Sequence, residues 1–155
     1  MADEQQQPQV LVNIQYVKDL SFEVPNAPQI FVQQESKPQI SVNVDIDARR
    51  LEGNVFEVVL KLEVNAKSGE DQVFLVELAY GSVCTLENVP DDQVQPTLLI
   101  EVPRMAFPFA RRVISDVTRD GGFPPLLLDP INFMALYQQN QQSQQNAEAP
   151  EGPLN

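Results

Sequence analysis

Covalent chemistry has few reagents in this chain. Among its 155 residues there is no histidine, and Cys84 is the one cysteine. Without imidazole, Ser-His-Asp and Cys-His nucleophilic catalysis are unavailable in their usual forms, as is any zinc site built on histidine. One thiol can neither close an intramolecular disulfide nor form a thiolate cluster. Beside Val83 and Leu86 it reads as a buried structural group in a reducing compartment. The segment "RDGGFPP" at 119–125 lacks the Lys-Ser/Thr ending of a phosphate-cradling loop, and the dinucleotide fingerprint is missing as well. The adjacent carboxylates Asp91 and Asp92 follow Pro90 in a polar turn, where nothing desolvates them for acid–base work. We therefore expect no enzyme, no catalytic residue, no metal and no cofactor.

Charge and an unusual loop are more informative. Twenty-two acids against 10 bases leave a net charge of −12. Nucleic-acid affinity comes largely from Lys and Arg neutralising phosphates, so nucleic acid and anionic membrane are poor partner candidates and a basic protein surface is a better one. Residues 120–142 read "DGGFPPLLLDPINFMALYQQNQQ". Proline lacks the donor that a helix interior or sheet ladder requires, so 123–128 should be irregular. Loops are normally polar because they run over the surface, and this one is apolar.

The elements that must position these groups fall into two halves. Residues 10–88 are strand-like and 96–137 helix-like, which specifies an α+β fold rather than alternating βαβ units. Ile40, Val42, Val44 and Ile46 alternate with polar residues, as do Phe56, Val58, Leu60, Leu62 and Val64, and then Phe74, Val76, Leu78 and Tyr80. The first segment contributes Val10, Val12, Ile14 and Tyr16, then Leu20 and Phe22, with Lys18 as a misfit. Period-two alternation gives one packed and one solvated face, hence a four-stranded antiparallel sheet, read here in meander order with a Pro-rich link over 24–39. The connections 47–54 and 66–71 carry Gly53 and Gly69, as hairpins do. The opposite face presents Asp19, Glu23, Asp45, Glu57, Glu63 and Glu77, with Lys61, Val59 and Leu75 among them. It is either a solubilising surface or an acidic docking face anchored by Leu75.

In the second half, Phe109, Ala110, Val113, Ile114 and Val117 follow helical spacing, stopped by Gly121 and Gly122. Pro108 belongs in a first turn, which starts this helix near Phe107 with 103–105 as lead-in. Met105, Ala106 and Phe107 widen its apolar surface beyond one stripe, so it must be covered twice, economically by another copy of the chain. A last helix should open with Asp129 as N-cap and Pro130 as first residue, burying Ile131, Phe133, Met134, Leu136 and Tyr137. Residues 1–9 and the Gln-rich tail 138–155 read as disordered and flexible, leaving 10–137 as one domain. The N-terminal "MADEQQQPQ" is not a signal peptide, and no apolar run approaches the roughly 20 residues that span a bilayer. A soluble cytoplasmic protein is expected.

With these residues in place, "KDLSFEVPNAP" at 18–28 and "FPFARRVISDVTRDGGFPPLLLDPINFMALY" at 107–137, with the strands between, resemble the SecB protein-export chaperone family over about 10–137. The resemblance implies two C-terminal helices packed on one sheet face and a homotetramer, a dimer of dimers, assembled through helices and sheet edges. Phe74, Val76, Leu78, Phe109, Val113 and Val117 are its expected interface. It implies unfolded secretory preproteins as clients and the SecA motor as partner. SecA contact would fall to Asp19, Glu23, Leu75 and Glu77, on the face that alternation assigns to solvent. The family's grooves for clients would use the apolar loop and last helix, through Phe123, Leu126, Leu127, Phe133, Met134 and Tyr137, although these could instead cap the sheet core. Two other classes compete: an acidic oligomeric adaptor that docks a folded basic partner without holding clients, and an enzyme or small-ligand carrier with a closed pocket.

Overall fold

The computed structural model describes residues 6–33 and 37–148. Four long strands, β1 (Gln9–Glu23), β2 (Gln39–Glu52), β3 (Val55–Ser68) and β4 (Asp71–Glu87), form one antiparallel sheet. Two-residue turns close the β2–β3 and β3–β4 hairpins, and Gly53 and Gly69 take the positive φ values of 54° and 61° that such turns require.

The spatial order is β1-β4-β3-β2, so the meander holds for β2 to β4 while β1 lies beside β4, not β2. This corrects the expected order. The link after β1 is long enough to cross the end of the sheet, so no tight turn forces β1 and β2 to pair. Asn26 pins the link where it passes β4, its side-chain amide donating to the Gln72 carbonyl at 3.0 Å.

β1 departs from the alternation in a second way. Its register with β4 shifts between Val12 and Ile14 and again between Val17 and Asp19. Each shift is a bulge that turns the following side chains to the other face. Ile14 and Tyr16 therefore lie on the outer face, opposite Val83 and Gly81, rather than in the core. The Lys18 misfit marks the second bulge.

The helical half begins earlier than the prolines indicated. An α-helix, α1 (Asp91–Pro96), passes through a π turn at Thr97–Glu101 into α2 (Val102–Asp120), so Pro103 and Pro108 both sit in helix. The widened π turn lies where the Pro103 ring would meet the carbonyl four residues back, which lets the chain continue. The last helix, α3 (Phe133–Glu148), starts after Asp129 and Pro130. Its cap is Asn132, whose side-chain oxygen accepts the Ala135 N–H at 3.0 Å. Residues 138–148, expected to be disordered, extend this helix, since glutamine is a good helix former. The remaining terminal residues, 1–5 and 149–155, lie outside those described.

α2 covers the inner sheet face. Ala106, Ala110 and Ile114 pack on Leu60, Leu62, Val64, Val76, Leu78 and their neighbours. A second cluster at the other end joins Phe56, Val58, Cys84 and Leu86 to Leu98 and Val102. Phe74, Val76 and Leu78, expected at an oligomer interface, are buried in the protomer's own core, because even-numbered positions of β4 point under α2. Val113 and Val117 are half-buried against the same core, whereas Phe109 is exposed.

Candidate functional site: two apolar troughs and an acidic face

The glycine stop at the end of α2 sets up the loop. Gly121 N–H donates to the Val117 carbonyl at 2.9 Å, and Phe123 N–H donates to the Thr118 carbonyl at 3.1 Å. The Phe22 ring lies directly on Gly121; a Cβ there would come within 2.3 Å of it, so only glycine allows this contact. From Phe123 the chain runs without regular structure to Asn132, as its prolines dictate.

This segment separates two open troughs. The first, about 580 Å³, is lined by Ile30 and Pro38 of the crossover link, Val73 and Phe74 of β4, and Phe123 to Leu126. The second, about 390 Å³, lies between Ile40, Val42 and Val44 of β2 and the run from Leu126 to Ile131. Leu126 lines both. A row of rings backs the first trough: Phe22 to Phe74 at 5.9 Å, Phe74 to Phe123 at 5.1 Å and Phe123 to Phe31 at 5.2 Å between centroids. Tilted rings at these separations interact favourably and hold the wall rigid.

Of the six expected groove residues, Phe123, Leu126 and Leu127 line the troughs, Leu127 with 63 % of its surface exposed. Phe133 does not. It is 2 % exposed, its ring edge-on to Phe107 at 6.0 Å, because α3 begins there and turns it into the core. Met134 is exposed but lies outside both troughs, and Tyr137 borders a separate cleft with Asp45, Leu99 and Gln141. Sequence reasoning missed Ile30, Phe31, Ile40, Val42 and Val73. One signal was available: "APQIFV" at 27–32 is an apolar run after a proline in a link, as is "PPLLL".

The outer face carries the acidic set. Direct cross-strand partners place Asp19 opposite Ala79, Ser21 opposite Glu77, and Glu23 opposite Leu75. Glu63 lies directly opposite Glu77, and Asp45 opposite Lys61. Asp19, Asp45, Lys61, Glu63 and Glu77 thus share one shallow hollow. Like charges directly across a ladder are destabilising, so this face carries a repulsion that a basic partner would relieve.

Glu57, expected in the same exposed set, is instead buried. Tyr16 and Lys18, brought outward by the bulges, close over it from β1, and Arg49 from β2. The Tyr16 hydroxyl donates to Glu57 Oε2, Lys18 Nζ lies 2.9 and 3.1 Å from the two carboxylate oxygens, and Arg49 Nε donates to Oε1 at 2.9 Å. The Tyr16 hydrogen bond, then that of Lys18, holds the Glu57 carboxyl down to about 2 from an ordinary 4.5. Burial and Glu57 push the Tyr16 hydroxyl up to about 12. Glu57 therefore ties three strands together and is not among the exposed charges of that face.

Apolar troughs on one side of a sheet and an acidic face on the other define a protein-binding module. Among the described residues no group of three or more His, Cys, Asp and Glu could hold a metal ion. The family described as "Preprotein translocase subunit SecB" matches residues 3–144. The "Protein-export protein SecB" of Granulibacter bethesdensis is 50 % identical over 146 residues, 89 % of this chain and 85 % of that protein. Its namesake from Zymomonas mobilis is 50 % identical over 143 residues, 92 % of this chain and 87 % of the other. The chain belongs to the SecB family and is a chaperone of protein export. The fold agrees with a Mycobacterium tuberculosis SecB-like chaperone, solved with a ChAD peptide from the HigA1 antitoxin, at a TM-score of 0.66 and 11 % identity, covering 79 % of this chain and 90 % of that one.

Proposed function

We propose that the two troughs hold extended apolar stretches of unfolded preproteins in the cytoplasm, and that the outer face presents the loaded chaperone to SecA. The observation that carries this reading is the loop 123–131: it keeps Leu126 and Leu127 beside open apolar walls where a soluble protein normally shows polar chain. Burying several hundred Å² of client surface at ~25 cal/mol per Å² contributes several kcal/mol, against which the client's lost freedom counts. Repeating such contacts around a homotetramer raises retention through effective concentration. The tetramer would form through the outer side of α2, where Met105 and Phe109 are exposed, and through sheet edges.

SecA contact is assigned to Asp19, Glu23, Leu75 and Glu77, whose charge and apolar anchor suit a basic segment. No catalytic step is proposed. The test is titration of a permanently unfolded client, such as reduced and carboxymethylated lactalbumin, at rising ionic strength. Affinity should fall only slightly from low to moderate salt. Complete loss in moderate salt would show that charge, not the troughs, holds the client. An adaptor that docks only folded partners would not suppress aggregation of an unfolded client at all.

A further inference from the structure

The two troughs share one wall, Leu126, and that residue follows two prolines that cannot anchor it by backbone N–H bonds. Its anchor is a buried side chain on α2. Leu126 N–H donates to Thr118 Oγ1 at 3.0 Å. Thr118 is fully buried, and its hydroxyl lies 2.9 Å from the Ile114 carbonyl and 3.0 Å from the Ser115 carbonyl. A hydroxyl has one proton and two acceptor positions, so donation back to the helix leaves a lone pair aimed at the loop. The Thr118 carbonyl also accepts the Phe123 N–H at 3.1 Å. One residue thus brackets the segment from Phe123 to Leu126, with both prolines between its two hydrogen bonds.

We infer that Thr118 is the positioning residue of the client-binding surface: its buried hydroxyl fixes Leu126 as the partition between the two troughs, so client affinity depends on a side chain that no client touches. The inference rests on the trough reading above. A wall already held in place costs a client less ordering on binding, and a wall that must be ordered first weakens it. Thr118→Val keeps the shape and removes the acceptor, leaving Leu126 N–H without its partner. Thr118→Ser keeps the acceptor and removes only a methyl group.

The test combines amide hydrogen exchange with client binding on the full chain, using reduced and carboxymethylated lactalbumin as probe. The wild-type Leu126 amide should be protected from exchange, which needs no variant to check; an unprotected amide overturns the inference. Thr118→Val should lose about tenfold in that protection and bind the probe about five- to tenfold more weakly, while Thr118→Ser stays within about twofold in both. In a Leu126→Ala background the Thr118→Val effect on binding should vanish, because the residue it positions is gone. A simple loss of fold stability would instead add to the Leu126→Ala effect, and additivity overturns the inference. So does wild-type affinity in a folded Thr118→Val protein, or equal weakening by Ser and Val. Failure of the wild-type chain itself to bind the probe overturns the trough reading and the inference with it.

Discussion

The buried Glu57 carboxylate makes part of this fold's stability depend on pH. Glu57 is held at about 2 in the folded chain against an ordinary 4.5, so its contribution to stability is full above about 4.5 and disappears as pH falls towards 2. Glu57→Gln should lower stability by about 1–2 kcal/mol near pH 7, a modest figure because Lys18 and Arg49 remain partly solvated. The gap between variant and wild type should close by pH 2 to 3. Urea unfolding across that range measures it; a gap of constant size would show that Glu57 stabilises by packing alone. Glu63 carries the opposite expectation. Removing its charge from beside Glu77 should raise stability slightly, by about 0.5 kcal/mol, while weakening association with a basic partner. If Glu63→Gln strengthened that association, the acidic face would not be a docking surface.

Elements, not residue types, decide which apolar side chains are left open to a client. Leu127 and Phe133 are six positions apart on one apolar segment, yet the first lies in the loop and is open while the second opens α3 and is buried. Phe133→Ala should cost about 3–5 kcal/mol of stability, as expected of a core aromatic. Leu127→Ser should change stability by less than about 0.5 kcal/mol and weaken client binding several-fold. Paired thermal melts and client titrations separate the two, and a strongly destabilised Leu127→Ser protein would place Leu127 in the core. The same distinction governs the glycine at the end of α2. Gly121→Ala would push a methyl group into the Phe22 ring and move the crossover end of β1 away from the loop.

At the scale of the whole molecule, apolar surface on the outer side of α2 calls for a partner. Phe109 is 51 % exposed beside exposed Met105, on the side away from the sheet. In the proposed tetramer this surface is covered by a second copy, and Phe109→Asp should shift the assembly to dimers or monomers in light scattering at micromolar concentration. A tetramer unchanged by that substitution would move the interface elsewhere.

Composition and periodicity by themselves determined the class of fold, the two faces of most of the sheet and the irregular loop at 123–128. These are local properties: alternation reports a pleat, and proline removes a donor wherever it stands. Position of β1 beside β4, outward rotation of Tyr16 at a bulge, burial of Glu57 beneath it, capture of Leu126 by Thr118 and the inward turn of Phe133 were decided only by tertiary structure. Each depends on how segments meet in space or on a one-residue shift of register, and local spacing carries no record of either.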